Sequence, residues 1–441
     1  MLEFDDIQYI LLTRVPALTG RYEFLSFRQP AQGRAWLEAV RQKVPSAKAV
    51  FDTVDQKRRW ASVAFTWNGL RALGLDEASL ATFPEEFREG MLARWQVLGD
   101  TGKNHPDHWI GGLAGPQLHA IAILFAREAS DRVQSVREHN ELLARTPGVE
   151  VMSSLDLEAI PFQYVIEHFG YRDRLTTPEI EGSGIEPTPG SGPPIKGGEF
   201  ILGYPDEDGP PANLPQPDIL SRNGSFMAYR RLQQHVGAFR DFLREQGGPT
   251  VEEQELLAAK LMGRWRSGAP LVLAPEKDDP AIANDPRRNN DFNYGEMDPQ
   301  GYAVPLGSHI RRMNPRDTAV NIQRRKVLRR GATYGPPLPE GTPEDGVERG
   351  IAAFVICASL VRQFEFVQNV WVNDPNFHEL GNEHDPMIGT QDGTFDFTIP
   401  KRPVRKKIKG LPAFTTVKGG AYFFLPGIKA LHYLANLSNS R

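Results

Sequence analysis

The amino-acid sequence predicts an α+β fold of two similar lobes. Short runs of β-branched, aromatic and leucine residues alternate with helix-length segments, the pattern of sheets covered by helices. A glycine- and proline-rich stretch over residues 176–217 separates two such series, and neither residue type suits an element interior. The chain has 441 residues, 40% hydrophobic and 24% charged, more than one small core requires. The expected organisation is a first half over 1–165, a connection over 166–220 and a second half over 221–441.

In the first half, residues 7–13 and 21–27 read as strands around a connection marked by Pro16 and Gly20. Residues 36–44 read as a short helix and 62–67 as a strand. Asn68-Gly69-Leu70 opens a helical stretch in which Leu70, Leu73 and Leu75 are loosely periodic. Residues 118–125 form the clearest strand, followed by a helix over 129–145 with Val133, Val136 and Leu142 along one side. In the second half the expected elements are a strand at 225–230, helices at 236–244 and 253–265, a buried apolar strand at 351–360 and a last strand at 421–425. Similarity of the lobes rests on element order, because no repeat is visible in the sequence.

A net charge of −4 gives no long-range attraction to nucleic acid or anionic lipid, and the basic cluster at 401–409 reads as a solvated loop. Cys357 is the single cysteine, so neither an intrachain disulfide nor a cysteine-based zinc or iron–sulfur site can form. The N-terminal residues lack the basic and apolar regions of an export signal, and no run approaches the roughly 18 apolar residues of a membrane span. A cytoplasmic protein without nucleic-acid or membrane partners is expected. Gly182-Ser183-Gly184 does not open a dinucleotide fingerprint, because the third glycine of G-x-G-x-x-G would fall at Pro187.

None of the 10 histidines makes a tight zinc spacing; His105 with His108, and His378 with His384, read as loop surface. His309 lies in the cationic stretch Gly307-Ser308-His309-Ile310-Arg311-Arg312-Met313-Asn314-Pro315-Arg316, where it is either a surface histidine beside solvated arginines or an iron ligand. Haem iron needs only one protein nitrogen and leaves no spacing signature. Asp173 follows His168-Phe169-Gly170-Tyr171-Arg172, where an aspartate commonly turns the chain or caps a helix. Arg329, in Lys326-Val327-Leu328-Arg329-Arg330-Gly331-Ala332-Thr333-Tyr334-Gly335, reads as a strand end or an exposed basic loop.

In their order along nearly the whole chain these stretches resemble the dye-decolourising peroxidase family. Gly170 to Asp173 looks like its G-x-x-D-G region, and Gly198-Glu199-Phe200-Ile201-Leu202-Gly203-Tyr204 like the segment after it. Gly263-Arg264-Trp265-Arg266-Ser267-Gly268-Ala269-Pro270, Asn289-Asn290-Asp291-Phe292 and the N-terminal Trp67-Asn68-Gly69-Leu70 continue the match. Gly307 to Arg311 resembles the proximal histidine motif, Arg329 to Gly335 the distal arginine motif, and Gln363 to Gln368 with Trp371-Val372-Asn373-Asp374 the segment beyond.

The resemblance implies two ferredoxin-like halves, each a four-stranded antiparallel sheet with helices, as in the dimeric α+β barrel superfamily, with haem b held mainly by the second half. It implies a peroxidase that reduces hydrogen peroxide and oxidises dyes or small aromatic donors through a ferryl intermediate; the alternative is a haem carrier or sensor with little turnover. Homo-oligomerisation is left open. His309 would be the iron ligand, Asp173 and Arg329 would face the open iron position, and Arg311 or Arg316 would pair with haem propionates. Asp385 and Asp392 both fall where the carboxylate supporting the proximal histidine is expected. Trp371 is the candidate surface relay for bulky donors.

Peroxide becomes a good ligand only after losing a proton, and its O–O bond breaks heterolytically only when the leaving oxygen gains one while charge is stabilised. A carboxylate with an arginine meets both needs and still works at about pH 4 to 5, where a histidine of pKa near 6.5 is protonated. An acidic optimum is expected. Two positions depart from the family pattern: Arg174 replaces the glycine after Asp173, and Ile356 stands where an aromatic is usual, predicting a remodelled distal wall.

Overall fold

The computed structural model describes residues 1–437 apart from 54, 55, 114, 163 and 187–191. Its strands are β1 (Thr19–Phe27), β2 (Arg59–Phe65), β3 (Ala120–Ala126), β4 (Val149–Glu158), β5 (Ser225–Gln234), β6 (Leu328–Tyr334), β7 (Gly350–Cys357), β8 (Phe397–Ile399), β9 (Lys406–Ile408) and β10 (Thr415–Leu425). Two antiparallel four-stranded sheets, in the orders β4-β1-β3-β2 and β10-β5-β7-β6, join through β2 and β10 at the pair Phe65 and Phe424. At the opposite edges the Thr333 hydroxyl of β6 donates to the Glu158 carbonyl of β4, so the eight strands curve round towards closure.

Alternation along these strands separates two apolar faces. Tyr22, Phe24, Tyr229, Phe354 and Phe423 fill the barrel interior, with the Tyr22 and Phe354 rings 5.0 Å apart. Leu25, Val63, Phe226 and Phe424 face outwards and are covered by helices, among them Pro30–Arg41 and Ile428–Ala435. The two similar halves and their antiparallel sheets are as expected from sequence.

The differences have local causes. Residues 7–13, read as a strand, contain a single buried helical turn, Tyr9–Leu12; a short apolar run is compatible with either element. β4 is absent from the sequence reading because Val149–Glu158 is an edge strand whose exposed face dilutes its apolar pattern with Glu150, Asp156 and Glu158. The helix Ala129–Arg145 forms as expected, but it buries His139 and Leu142 while Val133 is exposed. Gly350–Cys357 is a shorter strand than predicted, and the chain continues as π-helical turns, Leu360–Glu365 and Val367–Val372.

Candidate active site

Asp173 sits on a turn stitched together by a buried carboxylate. Glu167 accepts hydrogen bonds from the backbone N–H groups of Phe169 and Tyr171, each at 2.9 Å, and Gly170 takes the left-handed φ of 91° that the turn requires. The Asp173 N–H then donates to the Val165 carbonyl at 2.8 Å. Across from it, β6 is the edge strand of its sheet, and Arg329 stands in register with Val355 of β7, so their side chains share one face. The Arg329 guanidinium donates to Oδ1 of Asp173. Burial alone would raise the Asp173 carboxyl, but the charge of Arg329, the Arg174 backbone N–H and the charge of Arg14 hold it below the usual carboxylate range.

The same register corrects the expectation for Ile356. It pairs with Leu328 and packs in the barrel interior, on the face opposite Arg329, so it does not line the wall beside that arginine; Val355 does. Arg174, the other departure, adopts φ 61°, the left-handed region that a glycine enters without strain. Its Nη1 lies 3.4 Å from the Ala17 carbonyl, and its side chain lines a cavity of about 40 Å³ with Asp173, Arg329, Arg330 and Arg14.

His309 opens a short helical turn, His309–Met313. Ser308 before it donates to the Lys260 carbonyl at 2.5 Å, and Gly307 leaves room for Glu383, whose Oε2 would lie 2.6 Å from an added Cβ. Nδ1 of His309 donates to Asp385, 2.9 Å from Oδ2. Asp385 is fully buried, and its Oδ1 also accepts from the N–H groups of Met387 at 2.8 Å and Ile388 at 3.0 Å. Burial pushes this carboxyl up, yet His309 and the backbone donors outweigh it and hold it below the usual range. Asp392 instead accepts from Thr394 at an exposed turn. Nε2 of His309 has no hydrogen-bond partner among the described residues.

A second cavity, of about 260 Å³, has apolar walls from Leu12, Leu175, Ile180 and Leu328 and a polar rim that includes Asn289, Asn290 and Arg330. Arg316 reaches this rim, donating to the Asn290 carbonyl at 3.1 Å and to its side-chain oxygen at 2.5 Å. Arg264 donates to the Asn289 carbonyl at 2.6 Å. Lys326, just before β6, donates to Asn314 at 2.5 Å and is pushed down to about 8 by burial and the charge of Arg316. Arg264, Arg316, Lys326 and Arg330 form no ion pair among the described residues. These cations, Arg264 and Arg330 buried and Arg316 and Lys326 half-buried, fit the two propionates, and the apolar walls fit the ring of a haem; Glu179 and Glu186 also line the cavity. Arg311 is placed differently from expectation: it is buried, pairs with Asp298 at 3.2 Å, donates to the Val304 carbonyl and lines neither cavity.

The structure therefore brings Asp173 to Arg329 and His309 to Asp385 as two pairs, and His309 lines neither cavity. The segment after His309 connects them, through Asn314 to the foot of β6 and through Arg316 to the cavity rim. Trp371 is 6% exposed, packed with Val367 and Phe377, and so is not a surface group. Glu167 and Arg330 carry no signal in the sequence beyond their place at the distal motifs, and Arg14, remote from every motif, carries none.

A family model for the DyP dimeric alpha+beta barrel domain matches residues 6–156. Peroxidase 2 of Mycetinis scorodonius is 30% identical over 98% of this chain and 87% of its own length. A dye-decolorizing peroxidase of Exidia glandulosa is 29% identical over 98% of this chain and 86% of its own length. Among solved structures, the fungal DyP-type peroxidase of Auricularia auricula-judae superposes with a TM-score of 0.87 at 26% identity, covering 99% of both chains. A dye-decolorizing peroxidase in complex with 2,6-dimethoxyphenol gives 0.86 at 26% identity, covering 99% of this chain and 100% of that one.

Proposed function

The chain belongs to the dye-decolourising peroxidase family and is a haem peroxidase, and on that premise we propose that His309 ligates the iron of haem b, that Asp173 and Arg329 handle hydrogen peroxide, and that turnover is favoured by acid. The observation that carries the reading is the His309 imidazole, fixed at Nδ1 by the fully buried Asp385 carboxylate and left with Nε2 unpartnered. A carboxylate hydrogen-bonded to the other ring nitrogen fixes the tautomer and raises the basicity of a metal-ligating histidine. Arg316 and Arg264, which donate to Asn290 and Asn289 of the larger cavity's lining, would hold the propionates.

The chemistry that bound haem supplies is two-electron reduction of peroxide and oxidation of an organic donor. Asp173 acts on the protons. Arg329 occupies its Oδ1, which leaves Oδ2 to take the proton from one peroxide oxygen and return it to the other. Arg329 meanwhile steadies the negative charge that develops as the O–O bond lengthens. Because Asp173 is held below the ordinary carboxylate range, it remains a base in mildly acidic solution, and the acid limb of the rate profile is expected below that range. The donor is a dye or small phenolic compound, the class named for the relative solved with 2,6-dimethoxyphenol.

Stopped-flow mixing of haem-loaded protein with peroxide tests these roles. Asp173→Asn and Arg329→Leu are expected to slow the reaction about 10²- to 10⁴-fold at unchanged haem content, and His309→Ala to lose the native Soret band. Parent rates in both distal variants would refute the distal assignment, and an unaltered Soret band in His309→Ala the proximal one. Haem binding without peroxide turnover in the parent would favour the carrier or sensor reading.

A further inference from the structure

We propose that the smaller cavity beside the Asp173–Arg329 pair is a binding site for a small monovalent anion of halide or nitrate size. Its lining places four guanidinium groups, those of Arg14, Arg174, Arg329 and Arg330, around one carboxylate, Asp173. Arg329 satisfies that carboxylate. The other three have only carbonyl oxygens as partners: Arg14 the Arg329 carbonyl at 3.5 Å, Arg174 the Ala17 carbonyl at 3.4 Å, and Arg330 the Ile10 and Leu11 carbonyls at 2.9 and 3.0 Å. None of the three forms an ion pair among the described residues.

Two neutral donors point to the same occupant. The Tyr9 hydroxyl and Thr13 Oγ1 are buried without a hydrogen-bond partner, and both residues line the cavity. Tyr9 is fully buried and Arg330 is 6% exposed, so the inner wall of the site lies in the protein interior, while Arg329, its side chain 39% exposed, stands where the site opens to solvent. An unpaired buried polar group costs free energy, and like charges crowded at low dielectric repel. Burial, with the charge of Arg14 added to it, pushes Arg330 down to about 9. An anion accepting from the guanidinium groups and the two hydroxyls relieves both costs. The volume, about 40 Å³, has room for a halide or nitrate. The apolar lining residues, Ile10, Val15, Ala17 and Phe125, offer no counter-charge.

The site is independent of how His309 is used, and the iron itself provides the control. Crystals of the haem-loaded protein grown in sodium bromide are expected to show an anomalous peak between Arg14, Arg174 and Arg330. In solution, bromide is expected to raise the thermal midpoint of the parent relative to sodium gluconate of equal ionic strength, without moving the Soret band. Arg14→Gln should weaken that bromide response about tenfold or more, the scale of one charge-assisted hydrogen bond, whereas Arg14→Lys should retain most of it. If Arg14→Gln fails to fold, the bromide crystal and the Arg14→Lys response still decide. Ordered water alone in the cavity of bromide-grown crystals, a response that moves the Soret band, or equal responses in the parent and Arg14→Gln would each overturn the proposal.

Discussion

Replacing Asp385 by asparagine isolates the contribution of one buried charge to the proximal site. The carboxylate accepts three hydrogen bonds, from His309 Nδ1 at 2.9 Å and from the Met387 and Ile388 N–H groups. An asparagine of nearly the same shape can keep the two backbone donors on its carbonyl oxygen. Its amide then faces Nδ1 with a donor, so His309 must adopt the tautomer that carries its proton on Nε2, the nitrogen needed for iron. A hydrogen bond to a charged group contributes about 1.5–3 kcal/mol, which at 1.4 kcal/mol per decade corresponds to about 10- to 100-fold in haem affinity. The same range is typical for groups that orient metal-ligating histidines. Asp385 is fully buried, so solvent screening does not reduce the figure. Soret titration of the haem-free protein gives the affinity directly. Because the Asp385 carboxyl is depressed in the folded state, its stabilising effect is full above the ordinary carboxylate range and is lost as pH falls through its native value. The variant should therefore show a shallower loss of thermal stability in acid. A haem affinity within twofold of the parent, or an unchanged acid limb of stability, would refute the reasoning.

Arg174→Gly removes a side chain from a left-handed backbone position and should raise stability by about 1 kcal/mol, measured by denaturant unfolding. The same change removes a cation beside Asp173, so the carboxyl should titrate higher and the acid limb of the peroxide rate profile should move up in pH; identical profiles would show that this guanidinium does not reach the carboxylate. Trp371→Phe should cost about 1–3 kcal/mol by leaving a void among Val367, Val372 and Phe377, and should affect large and small donors alike, since the indole is buried. A loss confined to bulky dyes would restore Trp371 as a relay.

How much of this site could be read from residues depends on how far each interaction reaches along the chain. Helix Ala129–Arg145 and the continuous apolar strand Ala120–Ala126 are written locally, and they emerge where the pattern places them. The pairs that make the site are not local: His309 and Asp385 are 76 positions apart, and Asp173 and Arg329 are 156 apart. Composition offers no rule for choosing Asp385 over Asp392, because the choice is made by burial. One is sealed behind Met387 and Ile388; the other caps a surface turn. Adjacent arginines show the same limit. Arg329 and Arg330 are chemically identical, yet the two-residue period of β6 sends one to Asp173 and the other to the carbonyls of Ile10 and Leu11. Arg311 and Arg316 differ as sharply, one paired with Asp298 and the other directed at Asn290. A motif can thus supply the right kinds of group, but their roles depend on strand register and on which cations are left without carboxylates. That second quantity, invisible in a net charge of −4, is what concentrates positive charge at the smaller cavity.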